Sequence, residues 1–176
     1  MTVNVDYKNL VFGYSEPVSE FSRPDDGAAD RSAEQAHLVT LLARGLSRYR
    51  VVIRARLREA GFDDLPHSSS WLLAALAHQP GSLGQLANRL GTSKQGLSRL
   101  TDVVVERGYA IRQHDPLDHR RVLLSLTEKG GSAALIISRA LRDVDAEIEG
   151  RAGPGGTAEA RRTLAALFSS GPEPQV

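Results

Sequence analysis

SLGQLANRLGTSKQGLSRLTDVVVERGYAIRQHDPLDHRRVLLSLTEKG, residues 82–130, decides how this chain is read. Its first half, 82–108, has the apolar spacing of two short helices joined by a Gly91-Thr92-Ser93 turn. Ser82 caps the first of them, Leu83–Leu90, and Thr92 or Ser93 the second, Lys94–Arg107. A short hydroxyl side chain there accepts an otherwise unpaired amide of the first helical turn. Gly108 stands where a helix-terminating glycine belongs. The second half, 109–130, reads as two strands around the polar tip His114–Arg121, and Thr127 then caps a further helix. Two helices across a tight turn, followed by a charged hairpin, predict a winged helix-turn-helix. Such a unit implies binding to double-stranded DNA.

That geometry selects the residues that meet DNA. In a helix-turn-helix the second helix lies in the major groove with its N-terminal residues at base edges. Here it begins Lys94-Gln95-Gly96-Leu97-Ser98-Arg99. Leu97, Leu100 and Val104 share an inward face, leaving Lys94, Gln95, Ser98, Arg99 and Asp102 outward. Glutamine pairs bidentately with adenine, and arginine or lysine with guanine. Ser82, Ser93 and Ser98, with the free amides at helix starts, suit phosphate oxygens. At the wing, an arginine on a projecting tip suits a narrow minor groove. Asp118, two residues before Arg120, is placed to orient its guanidinium, and Arg121 follows. Residues 89–121 hold seven bases against four acids. Gly96 costs up to about 1 kcal/mol against alanine early in a helix. Close approach to DNA and no role at all both remain open for it.

Outward from this unit, residues 31–60 form a long helix carrying Leu38, Leu41, Leu42, Tyr49, Val52, Ile53 and Leu57 at three- and four-residue spacing, with Gly61 as its stop. A second helix spans about 68–77, between Pro66 and Pro80-Gly81. A fifth runs from Thr127 to about Glu149, with Ile137, Leu141, Val144 and Ile148 in a narrow, coiled-coil-like seam. Gly150–Gly156 reads as a loop, and Thr157 opens a sixth helix with Leu164, Leu167 and Phe168. The first, fifth and sixth helices have no sheet to cover their apolar faces, which predicts an obligate homodimer. The fold class expected is mainly α with a small β-hairpin wing. Its parts are an arm at 1–30, a helical dimerisation region at 31–65 and 127–170, and a DNA-binding region at 66–126.

Composition narrows the classes. The 176 residues carry a net charge of +1, but residues 1–30 alone hold six acids against two bases, so the remainder is net +5, which suits an anionic partner. The absence of cysteine excludes disulfides, zinc–thiolate sites and thiol-based oxidant sensing. Residues 65–88 lack Asp, Glu, Lys and Arg, yet their apolar run Trp71–Ala77 is too short for a membrane span, and the start has no basic segment followed by an apolar one. The expectation is a cytoplasmic protein with no membrane contact. Gly81–Gly84 lacks the Lys and Ser/Thr of a phosphate loop, and His67 beside three serines is no triad. The five histidines have no metal-ligand spacing. No catalytic residue, metal or cofactor is expected.

The run LANRLGTSKQGLSRLTDVVVERG, the wing DPLDHRRVLLSLTEKG with its Asp118-His119-Arg120, and the Leu-Thr-x-x-Gly opening the next helix resemble the multiple-antibiotic-resistance regulator (MarR) family of bacterial repressors. The order of six helices is similar from about residue 31 to 169; the signature at 82–130 is specific, and the flanking helices match in pattern only. The resemblance implies a dimer on a pseudo-palindromic operator, released by a small aromatic or anionic effector bound between the dimerisation and DNA-binding parts. It makes Arg120 the wing arginine and Lys94, Gln95, Ser98 and Arg99 the groove-facing set. Candidates near such a pocket are His37, Arg44, Tyr49, His67 and Trp71: Arg44 or a histidine to hold a carboxylate, Tyr49 or Trp71 to flank a ring. For Trp71 a plain core role weighs more. The chain departs from the family in its acidic N-terminal extension, in Thr101 where an apolar residue is commoner, and in having no cysteine. Two other readings stand beside this one: a ligand-insensitive DNA binder controlled by a protein partner through residues 1–30, and a winged-helix protein-interaction module.

Overall fold

The structure is a computed structural model that describes residues 36–166. Its elements are α1 (Leu38–Glu59), a 3-10 turn (His67–Ser69), α2 (Ser70–His78), α3 (Leu83–Leu90), α4 (Lys94–Glu106), β1 (Ala110–His114), β2 (Val122–Leu126), α5 (Glu128–Ala152) and α6 (Gly156–Ala166). The architecture is mainly helical with a two-stranded antiparallel hairpin: a winged helix. The arm at 1–30 and the end of the sixth helix, Leu167 and Phe168, lie outside the described residues. The chain divides into two compact units, one ending at Val51 and one starting at Val52.

In the first unit the described residues form the N-terminal turns of α1. The His37 carbonyl accepts the Thr40 amide at 2.8 Å, which starts the helix. Leu38, Val39, Leu42 and Val51 are large apolar side chains exposed on it.

The second unit is built around α2. Leu72, Leu73, Ala75 and Leu76 are buried, and α2 packs on α5, α3 and β2. A helix covered on several sides has no solvated face for charges, which accounts for the uncharged stretch 65–88. On α5, Ala133, Ala134, Ile137, Ala140 and Val144 form the buried stripe, three of them small enough to let α2 approach. The seam expected to face a partner is therefore divided: Ile137 and Val144 belong to the chain's own core, while Leu141 and Ile148 stay half-buried. α5 also extends past the expected stop at Glu149 to Ala152, so Gly150 is helical; an Arg151–Glu147 pair at 2.8 Å spans this last turn. α6 has no buried residue.

β1 and β2 pair from Ala110↔Leu126 to His114↔Val122. Gly81, in the connection before α3, adds a single bridge to Leu124 through bonds of 2.9 and 3.2 Å. It ties the start of the helix-turn-helix to the wing. One residue has no periodicity, so sequence reading takes it as loop.

Candidate nucleic-acid interface

The turn between α3 and α4 is set by three local choices. Ser82 and Gln85 form a reciprocal capping box: the Gln85 amide donates to Ser82 Oγ at 3.4 Å, and the Ser82 amide to Gln85 Oε1 at 2.8 Å. Gly91 ends α3 at φ 60°, ψ 36°, a left-handed conformation that glycine adopts without a Cβ penalty. Ser93 Oγ then accepts the Gly96 amide at 3.2 Å and opens α4. Both serines are used as caps through an oxygen lone pair, which leaves each hydroxyl proton uncommitted to the cap. A Cβ on Gly96 would come 3.3 Å from Ser93 Oγ, so the glycine keeps room for the cap, a local reason the sequence does not reveal.

α4 buries Leu97, Thr101 and Val104 and only half-buries Leu100. Thr101 takes the central place in the stripe expected of Leu100. Lys94, Gln95 and Arg99 are exposed and Ser98 is half-buried. The stem of Lys94 runs past α3, its Cε 3.3 Å from where a Gly84 Cβ would be.

At the wing tip the backbone is held by its aspartates. Asp115 Oδ1 accepts the Leu117 amide at 2.9 Å, and the Asp115 amide donates to the Arg121 carbonyl at 2.9 Å. Asp118 Oδ1 accepts the backbone amide of Arg120 at 3.1 Å, and the Asp118 carbonyl accepts that of Arg121 at 2.8 Å. Asp118 was expected to steer the Arg120 guanidinium; the bond it makes instead fixes the main chain that carries it. Across the tip, His114 Nδ1 donates to the His119 carbonyl at 2.9 Å.

The seven bases of 89–121 separate into two groups. Arg89 donates to the carbonyls of Ala75 (3.1 Å) and Gln79 (2.9 Å), capping α2. Arg107 donates to the Asp64 carbonyl, and Arg112 pairs with Asp102. Lys94, Arg99, Arg120 and Arg121 make no ion pair among the described residues. The cations left over are those at the start of α4 and at the wing tip.

Behind this surface a polar cluster fastens three elements. The Tyr109 hydroxyl donates to Asp64 Oδ1, Lys129 Nζ reaches Asp64 Oδ2 at 2.9 Å and the Arg107 carbonyl at 3.0 Å, and the same ammonium lies 4.1 Å over the Tyr109 ring. The Tyr109 hydrogen bond and then Lys129 hold the Asp64 carboxyl below its usual range. Burial, then the Asp64 carboxylate, push the Tyr109 phenol up. Phe62 lies against Tyr109, ring centroids 6.2 Å apart. Nothing in the spacing of Asp64, Tyr109 and Lys129 announces this cluster.

The effector candidates fall in both units. His37, Arg44 and Tyr49 belong to the first unit; His67 opens the 3-10 turn and Trp71 is half-buried on α2. In the second unit an open recess of about 170 Å³ is lined by Arg54, Leu57, Arg58, Phe62, Asp63 and Leu65. Among the described residues no helix is long and apolar enough to cross a membrane.

The capped turn, the exposed face of α4 and the cationic wing define a winged helix-turn-helix of the DNA-binding class. Residues 63–121 match the model of the MarR family. The fold is that of solved regulators. A MarR transcriptional regulator from Methanosarcina mazei Go1 is 20% identical with a TM-score of 0.60, the match covering 74% of this chain and 93% of that one. The regulator BldR from Sulfolobus solfataricus is 21% identical (TM-score 0.57; 85% and 99% covered). BpsR from Bordetella bronchiseptica, described through the regulation of its DNA binding by 6-hydroxynicotinic acid, is 14% identical (TM-score 0.59; 77% and 95% covered). No match to the curated proteins was found.

Proposed function

We propose that this protein is a homodimeric, sequence-specific repressor that binds a pseudo-palindromic operator in the cytoplasm and carries out no reaction of its own. The observation that carries the reading is the separation of the cations: Arg89, Arg107 and Arg112 hold the fold together, while Lys94, Arg99, Arg120 and Arg121 are unengaged where a winged helix-turn-helix meets DNA. In this reading Lys94, Gln95, Ser98 and Arg99 face base edges in the major groove. Ser82 and Ser93 face phosphates, and Arg120, with its main chain fixed by Asp118, enters the minor groove with Arg121 beside it.

Two features support the dimer. α6 lies along α5 without burying any side chain fully, and α1 presents Leu38, Val39 and Leu42 to solvent. A helix of that length with no fully buried side chain gains little of the apolar burial that supplies most helical stability in a single chain. A second copy supplies that burial, so α1, α5 and α6 form the dimerisation region and 66–126 the reading region. Release by a small aromatic or anionic effector rests on family resemblance and on the effector of BpsR; His37, Arg44, Tyr49, His67 and Trp71 remain its candidates.

Footprinting on DNA upstream of the protein's own gene tests the reading. Two protected half-sites about 10 bp apart, centre to centre, or a multiple of that, are expected from a two-fold dimer. Absence of protection there and on a random-sequence duplex pool contradicts it.

A further inference from the structure

Leu117, at the wing tip, is 96% exposed. Isolated surface leucines are ordinary, so exposure alone decides nothing. The framing of this one is not ordinary. Its amide is held by Asp115 Oδ1 at 2.9 Å, Pro116 fixes the backbone torsion just before it, and the Asp118 amide just after it donates to the Asp115 carbonyl at 3.2 Å. Arg120 and Arg121 follow within the same tip, without ion-pair partners among the described residues. The result is an apolar side chain on a braced turn, next to two free cations.

Resting on the DNA-binding reading above, we propose that Leu117 is an apolar wedge that enters the minor groove beside Arg120 and favours operators with a flexible pyrimidine–purine step under the wing. The two arginines select a polyanion as the occupant. An apolar side chain delivered among phosphates gains by reaching the sugar walls or the edge of a base step. Partial unstacking is least costly at T-A and C-A steps and most costly in a stiff A-tract. The bracing matters because a wedge on a mobile loop would fold back on the protein rather than open a step. Arg120 then supplies attraction, and Leu117 supplies discrimination through deformability.

The test uses the full chain and the tightest duplex selected from a random-sequence pool, made in two versions, with a T-A or an A-A step at the position the wing protects. Wild-type protein is expected to prefer the flexible version about fivefold or more, equivalent to roughly 1 kcal/mol per altered base pair. Leu117→Ala is expected to reduce that preference below about twofold and to leave the salt slope of binding unchanged, since no charge is lost. Arg120→Ala is the control: its salt slope falls by about one, and the step preference persists. Equal preference in wild type and Leu117→Ala overturns the wedge while leaving DNA binding intact. A changed oligomeric state in Leu117→Ala, with DNA behaviour unaltered, overturns it in favour of a contact between copies. Failure of the wild-type chain to bind any duplex removes the DNA-binding reading and the wedge together.

Discussion

The Arg112 guanidinium, on β1, is paired with the Asp102 carboxylate, on the outward side of α4. The wing is thus tied to the reading helix by a bridge whose two side chains are 45% and 61% exposed. An exposed pair of this kind contributes about 0–1 kcal/mol. Asp102→Ala should therefore leave the thermal midpoint nearly unchanged. It should tighten binding to duplex DNA and steepen its salt dependence by about one phosphate equivalent, because an acid leaves the surface and Arg112 is released. Paired melting curves and anisotropy titrations check both halves.

Thr101 is 3% exposed, and its hydroxyl has no hydrogen-bond partner among the described residues. An unsatisfied buried hydroxyl costs about 1–3 kcal/mol. Thr101→Val keeps the shape and removes the polar atom, so chemical denaturation should show a gain of about 1 kcal/mol with DNA affinity unaffected. A loss of stability would mean that the hydroxyl is satisfied in solution.

At the start of α5 a Cβ on Gly130 would lie 1.8 Å from the Tyr109 carbonyl oxygen. Thr127 holds the two segments at that separation: its hydroxyl donates to the Gly108 carbonyl at 2.7 Å and accepts the Gly130 amide at 3.0 Å, while its own amide donates to the Tyr109 carbonyl at 3.1 Å. Because the clash is with backbone, Gly130→Ala should destabilise by about 3 kcal/mol, at the upper end for overpacking. Gly131→Ala, with open space at its Cβ, serves as the matched control in the same denaturation experiment.

Glu149 organises the junction of α5 with α6. Its carboxylate accepts the Thr157 hydroxyl at 2.6 Å, the Thr157 amide at 2.9 Å and the Gly155 amide. Those bonds, in that order, hold its carboxyl down to about 2 from an ordinary 4.5. A depressed acid stabilises the folded state above its unfolded pKa, and that contribution is lost as pH falls from about 4.5 towards 2. Glu149→Gln should lower the thermal midpoint at neutral pH. Between pH 4.5 and 2 the variant should lose less than the wild type, which thermal melts at stepped pH would show.

Much of this was legible in the sequence, for reasons specific to each element. Three helix starts were announced because capping is a local event: Ser82 and Thr127 cap as read, and of the alternatives Thr92 and Ser93 it is Ser93 that caps. The hairpin was legible from the polar tip His114–Arg121 set between two short runs, and the strands pair on either side of it. What sequence spacing could not show is what a side chain meets at long range. Arg89, Arg107 and Arg112 look no different from Arg99 or Arg120, yet their partners are carbonyls and a carboxylate brought near by the fold. Ile137 and Val144 carry a seam-like spacing that serves equally well to pack α5 on its own α2. Asp118 was placed correctly at the tip, but whether it would hold a guanidinium or a main-chain amide depends on the turn type.

The central claim is that the free cations of α4 and the wing bind duplex DNA. A fluorescence anisotropy titration of the selected duplex across salt concentrations tests it most directly. If a dimer presenting Lys94, Arg99, Arg120 and Arg121 twice neutralises about six to eight phosphates, affinity should fall about 10³–10⁴-fold between about 50 and 200 mM salt. Arg120→Ala should weaken binding by about 1–3 kcal/mol with an unchanged thermal midpoint. A flat salt profile, or an Arg120→Ala variant that binds as tightly as the wild type, would contradict the account.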